Sequence, residues 1–140
     1  IATAEAFDSE MKDRIALHQA RRGPDWHTVH APLNLPQALR EADGDGPCLV
    51  DCLTIWLNNL MFAEQETATA ADQLVAAIAA RSDPVVLVTN EVGGGIVPEN
   101  ALARRFRDEA GRMNQIIATA VDEVYVSISG IPVRINPHPY

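Results

Sequence analysis

The chain has no apolar run approaching the roughly 20 residues that cross a bilayer, and no signal peptide is visible, so a membrane partner is not expected. Positive charge is scarce as well. Lys and Arg number 11 against 19 Asp and Glu, a formal net charge of −8. That balance argues against general affinity for nucleic acid or an anionic membrane, but phosphate binding depends on local arginines and backbone amides and stays open. Two cysteines, Cys48 and Cys52, cannot complete a structural zinc site. They flank an apolar segment and read as small core hydrophobes rather than a disulfide, which makes a reducing cytoplasm the expected compartment. There is no low-complexity linker and no internal repeat. What is present is ordinary for a globular protein: 140 residues, 47% hydrophobic and 21% charged, enough for one domain over 1–140 with a real core.

Periodicity divides the chain into alternating elements. Asp8 to Arg22 reads as a helix with Asp8 and Ser9 as caps and Met11, Ile15 and His18 at helical spacing, ended by Gly23 and Pro24. Trp26–Ala31 is expected as a short strand and Pro32–Ala42 as a short helix capped by Asn34, with Pro36 in its first turn. A buried strand over Cys48–Cys52 leads into an apolar helix, Leu53–Ala63, and an alanine-rich helix follows over Ala68–Arg81. Val85–Val88 reads as a strand buried on both faces. Pro98–Ala120 is expected as a long helix, Val124–Ser129 as a final strand, and Gly130–Ile135 as its hairpin return. Strands alternating with helices give an α/β domain with a largely parallel sheet.

The most specific stretch is Val85–Asn100, VVLVTNEVGGGIVPEN. Ligands of open α/β sheets bind beyond the carboxyl ends of the strands, which is where Thr89, Asn90 and Glu91 fall. Gly93, Gly94 and Gly95 then let the backbone turn where side chains would obstruct it. A glycine run alone would suit any flexible strand-to-helix connection. The surrounding pattern, TNEVG followed by IVPEN, is more particular.

Thr89–Gln115, TNEVGGGIVPENALARRFRDEAGRMNQ, resembles the bifunctional adenosylcobinamide kinase and adenosylcobinamide-phosphate guanylyltransferase family of cobalamin biosynthesis. Two further blocks, Ile1–Trp26 and Leu49–Phe62, are similar to that family's histidine-bearing segment and its second acidic strand, in the same order. The resemblance implies a P-loop NTPase-like (RecA-like) α/β fold, with a mainly parallel sheet flanked by helices. It also implies a strand, a GxxxxGK[ST] phosphate loop and a helix ahead of Ile1, so the sequence is expected to be part of a longer protein. Two reactions follow from it: phosphorylation of adenosylcobinamide by a nucleoside triphosphate such as ATP or GTP, then GMP transfer from GTP to give adenosylcobinamide-GDP. Mg²⁺, a corrinoid substrate and a homotrimer are implied with them. The rival reading is a non-catalytic nucleotide-binding or regulatory protein derived from the same family.

Individual residues carry these expectations unequally. A lone histidine on an amphipathic helix is more often structural, but Arg14, Ile15, His18, Arg22 and Trp26 match the RIxxHxxxRxxxW pattern around the family's guanylylated histidine. An imidazole can attack a phosphorus and form a labile phosphoramidate, so His18 is the expected GMP-histidine. Arg21 and Arg22 either end the helix in solvent or grip the triphosphate. Asp51, closing the strand CLVD, resembles a Walker B carboxylate that positions nucleotide and Mg²⁺, directly or through water; its structural reading is a helix cap. Glu91 is either a base for the kinase step or a holder of the glycine turn. Thr3 and Ala4 resemble the strand end that meets nucleotide in relatives. His30 stands where relatives carry a glutamate. Arg104, Arg105, Arg107 and Arg112 are expected to be solvated or at a subunit contact, and Thr54, Asn58 and Asn59 to cap or pack.

Overall fold

A computed structural model describes residues 1–5, 16–17 and 23–137. It is mixed α/β: α1 (Leu35–Glu41), β1 (Cys48–Asp51), α2 (Leu53–Phe62), α3 (Thr67–Ala79), β2 (Val85–Val88), α4 (Ala101–Ala120), β3 (Val124–Ile128) and β4 (Ile131–Asn136). Of the helix expected over Asp8–Arg22, only Ala16 and Leu17 are described, and both are helical.

β1 and β2 pair in parallel, from Cys48 opposite Val85 to Asp51 opposite Val88. Single parallel bridges extend this pair, because Ala2 faces Asp51 on one side and His30 on the other. The Ala2 amide donates to Val29 O at 2.8 Å and Ala31 N donates to Ala2 O at 2.9 Å. Thus the strand expected over Trp26–Ala31 is reduced to one bridge at His30. The segment contains Pro32 just beyond, which cannot donate to a continuing ladder. β3 and β4 form a separate antiparallel hairpin, closed by Ser129 (φ 52°) and Gly130 (φ 79°). Two successive positive φ values match a two-residue turn whose twist suits the flanking strands, and Gly130 adopts that conformation without a Cβ penalty.

The core lies on one face of β1 and β2. Val50 is fully buried against Leu53, Trp56, Leu57 and Leu60 of α2, Leu74 and Ala77 of α3, and Ala110, Met113 and Ile117 of α4. Each large side chain of this kind contributes about 1.5–3 kcal/mol on burial. In α4 the buried positions recur at spacings of three and four, the stripe that a surface helix turns inward. The expectation that Val85–Val88 is buried on both faces is overturned: Val86 is 59% and Val88 39% exposed. Successive strand side chains point to opposite faces, and among the described residues the helices cover the face of Val85 and Leu87.

Several boundaries also move. The long helix begins at Ala101 rather than Pro98, because Asn100 is the cap and its Oδ1 accepts Ala103 N at 3.1 Å. Asn34 does occupy the cap position of α1 but makes no capping bond with its side chain. Cys52 leaves the strand and becomes the cap position of α2, and α3 ends at Ala79 rather than Arg81. Glu66 caps α3, its carboxylate accepting Thr69 N at 2.6 Å and Ala68 N at 3.2 Å. Hydrogen bonds from the Thr69 amide and hydroxyl, with the Ala68 amide, hold the Glu66 carboxyl below its ordinary value.

Arg81 is used elsewhere. Its side chain is 1% exposed, and its guanidinium donates to Leu39 O at 2.6 Å, Gly46 O at 3.3 Å and Asp83 O at 3.4 Å. Asp43 lies 3.9 Å away. This buried cation joins the end of α1 to the loops that open β1 and β2, at the sheet edge opposite the functional residues described next.

Candidate functional site

The carboxyl ends of three parallel segments meet at one edge: Ile1–Thr3, β1 and β2. Since bridge partners in parallel strands project to the same face, His30, Ala2, Asp51 and Val88 form one row across the sheet. Ala2 contributes only a methyl, so Asp51 and His30 flank an open position, with backbones roughly 10 Å apart at the usual strand spacing. Thr3, Ala4, Asp51 and Glu91 are therefore brought to a common edge. His18, Arg21 and Arg22 lie outside the described residues.

Thr3 is fully buried. Its hydroxyl donates to Cys52 O at 2.8 Å and accepts Cys52 N at 2.9 Å, and its own amide donates to Asp51 O at 3.2 Å. The hydroxyl that the resemblance assigns to nucleotide is thus engaged in fixing the first residue beyond Asp51. Asn59, 5% exposed, supports the same strand end by donating to Thr3 O at 2.8 Å and Pro32 O at 3.0 Å, while its Oδ1 is buried without a partner. Ala4, half-buried, follows directly.

Asp51 is half-buried at the end of β1, and its carboxylate makes no hydrogen bond or ion pair among the described residues. The capping role does not fall to it, since Cys52 holds that position and no side chain closes the cap. A carboxylate left free at a strand end is a hard oxygen donor. No group of three or more His, Cys, Asp or Glu side chains converges on a metal position among the described residues. Mg²⁺ suits such a site, because it usually takes one or two carboxylates and completes its shell with water and phosphate oxygens.

The loop after β2 is strapped to the structure at both ends. Asn90 N donates to Thr54 Oγ1 at 2.8 Å. Thr89 Oγ1 donates to Asn114 Oδ1 at 2.8 Å, and Asn114 Nδ2 returns to Asn90 O at 3.3 Å. Gly93 is held on both sides: its amide donates to Glu91 Oε1 at 3.0 Å, and its carbonyl accepts Arg107 Nη2. A Cβ on Gly93 would meet Glu91 Oε1 at 2.9 Å, so a side chain there would push the carboxylate from the amide. Glu91 thus takes the turn-holding role, with Oε2 left over. Arg104 reaches Pro98 O at 3.0 Å and also Glu99 O.

Arg104, Arg107 and Asn114 were legible as residues but not as a set. Their spacings of three and seven place them on one stripe of α4, facing the glycine turn. That corrects the expectation of solvated arginines for Arg104 and Arg107, whose donors serve loop carbonyls. Arg112 instead pairs with Glu109 at 2.8 Å, and Glu109 accepts the Thr67 hydroxyl at 2.6 Å, tying α3 to α4. Thr54 and Asn59, expected only to cap or pack, fix the ends of two strands.

Comparison with known proteins agrees with this arrangement. The family described as cobinamide kinase / cobinamide phosphate guanyltransferase (CobU) matches residues 1–135. The chain is 41% identical over 142 residues to the bifunctional adenosylcobalamin biosynthesis protein CobP of Pseudomonas aeruginosa, covering 99% of this chain and 82% of that protein. It is 43% identical over 153 residues to the bifunctional adenosylcobalamin biosynthesis protein CobU of Salmonella typhimurium, covering 97% and 84%. The corresponding protein of Escherichia coli is 39% identical over 152 residues, again covering 97% and 84%. With the free carboxylate of Asp51 beside a braced glycine turn and a match across nearly all its length, the chain belongs to the cobinamide kinase / cobinamide phosphate guanyltransferase family.

Proposed function

We infer that this chain phosphorylates adenosylcobinamide at the expense of a nucleoside triphosphate and then transfers GMP from GTP to the product, giving adenosylcobinamide-GDP. The observation that carries the reading is the family match over residues 1–135. The disposition of Asp51, Ala4 and the glycine turn at one edge of the sheet supports it, since that edge is where α/β sheets take ligands. The complete nucleotide site of this reading is P-loop NTPase-like, with GTP and ATP as the nucleotides.

In the transfer step a ring nitrogen of His18 attacks the α-phosphorus of GTP. A phosphoramidate bond forms as the bond to the bridging oxygen breaks, and pyrophosphate leaves with the electron pair. Arg21 and Arg22 neutralise the charge that accumulates on that leaving group. A phosphate oxygen of adenosylcobinamide phosphate then attacks the same phosphorus, the P–N bond breaks, and His18 is regenerated. In the kinase step Glu91 Oε2 takes the proton of the substrate hydroxyl while Oε1 keeps the turn in place. Asp51 holds Mg²⁺, which supplies charge neutralisation on the phosphates when bound. The working assembly in this reading is a homotrimer.

Intact-mass measurement on the full-length protein tests the central step. Incubation with GTP and Mg²⁺ is expected to add one GMP, stable to base and labile to acid, and His18→Ala is expected to lose the adduct while retaining corrinoid phosphorylation. An adduct that persists in His18→Ala removes His18 from the mechanism. Loss of both activities in a folded His18→Ala protein rejects the division of roles. A wild-type protein that binds nucleotide but neither labels nor phosphorylates favours the non-catalytic rival.

A further inference from the structure

Ile96 is 98% and Val97 62% exposed, directly after the three glycines. Single apolar side chains on a surface need no explanation. These two stand on a loop that is braced on both sides, through Thr89, Asn90 and Gly93 before them and Pro98 and Glu99 after them. Five polar side chains are thereby committed to holding a short segment whose apolar residues face water. The segment also continues from the carboxyl end of β2, beside the free carboxylate of Asp51.

We propose that Ile96 and Val97 are the contact surface for the corrin ring of the corrinoid substrate, and that Arg107 is the positioning residue that fixes this surface through Gly93. The proposal rests on the family's reaction. Of the two substrates in that reaction, the nucleotide is recognised by donors, acceptors and charges, none of which Ile96 or Val97 can offer. A corrin ring presents a broad apolar face rimmed by methyl groups and amide arms, and water is displaced favourably when such a face meets branched aliphatic side chains. Arg107 adds polar complementarity. Its Nη2 is spent on Gly93 O, but its Nη1 is buried without an acceptor, and the amide oxygens of the corrinoid rim are acceptors of the kind that donor lacks. Gly94 and Gly95 leave open space where side chains would otherwise stand, so a wide ligand can approach the backbone closely.

The test separates the two substrates in the phosphorylation assay of the full-length protein, with Tm and subunit stoichiometry measured alongside. Ile96→Asn is expected to raise the KM for adenosylcobinamide about tenfold and to leave the KM for the nucleotide and the Tm unchanged, while Ile96→Met restores the corrinoid KM. Arg107→Met is expected to raise the corrinoid KM in the same direction, with partial recovery in Arg107→Lys, because lysine keeps a donor for Gly93 O but not the planar fork. A corrinoid KM within twofold of wild type in Ile96→Asn overturns the proposal. So does an equal rise in the nucleotide KM, or a change of subunit stoichiometry that accounts for the loss. Absence of phosphorylation in the wild-type protein would instead be a failure of the proposed function, and is distinguishable on that basis.

Discussion

Replacing Thr3 by valine keeps the shape of a fully buried side chain and removes only its hydroxyl. In the native protein that hydroxyl satisfies both polar groups of the Cys52 backbone, donating to O at 2.8 Å and accepting from N at 2.9 Å. Cys52 is 7% exposed, so water does not readily replace either bond. Each orphaned buried group costs about 1–3 kcal/mol, and the added methyl recovers part of this, leaving a net loss of about 3 kcal/mol. For a chain of this size the corresponding fall in Tm is about 10 °C. Thr3→Ser keeps both bonds and loses one methyl, about 1 kcal/mol. Thermal unfolding of the wild type, Thr3→Val and Thr3→Ser gives the comparison, with the nucleotide KM measured in parallel. If the hydroxyl chiefly contacts nucleotide, Thr3→Val will leave Tm nearly unchanged and raise the nucleotide KM alone. That result, or equal Tm values for the two variants, refutes the structural assignment.

Asp51→Asn is expected to change Tm by no more than about 2 °C, since no side-chain bond is lost, while phosphorylation falls at least about a hundredfold at limiting Mg²⁺; near-normal turnover in a kinetic assay would move the metal elsewhere. Arg81→Met keeps the aliphatic stem but strands Leu39 O and leaves Asp43 without its cation, a loss of about 3 kcal/mol that a urea midpoint should register; a midpoint equal to wild type would show the buried guanidinium to be dispensable. Partial desolvation opposes ionisation of Asp43, but the amides of Asp83 and Ser82, the Ser82 hydroxyl and Arg81 together hold its carboxyl below the ordinary value of 3.8, and Glu66 is likewise held below 4.5. Because both folded-state values are depressed, their stabilisation is complete above the unfolded values and is lost as pH falls through the folded ones. Tm should therefore decline below about pH 4.5, and Glu66→Gln should flatten that decline; identical acid profiles would contradict the capping account.

The sequence by itself determined the order and kind of the elements, because periodicity is a local property. The parallel pairing expected of an alternating α/β chain is present in β1 and β2, and the motif around Thr89–Asn100 sufficed to identify the family. Asp51 was legible as a functional carboxylate from its place at the end of CLVD. Tertiary structure decided the rest. Whether a valine in β2 faces helices or water depends on which face those helices cover, which no run of four apolar residues records. Whether Arg104 and Arg107 are solvated or strap a loop depends on the distance between α4 and a segment up to fourteen residues earlier in the chain. Thr3 illustrates the limit most directly: its partner Cys52 is 49 residues away, and only the closing of two parallel segments against each other turns its hydroxyl inward and leaves the carboxylate of Asp51 free at the edge.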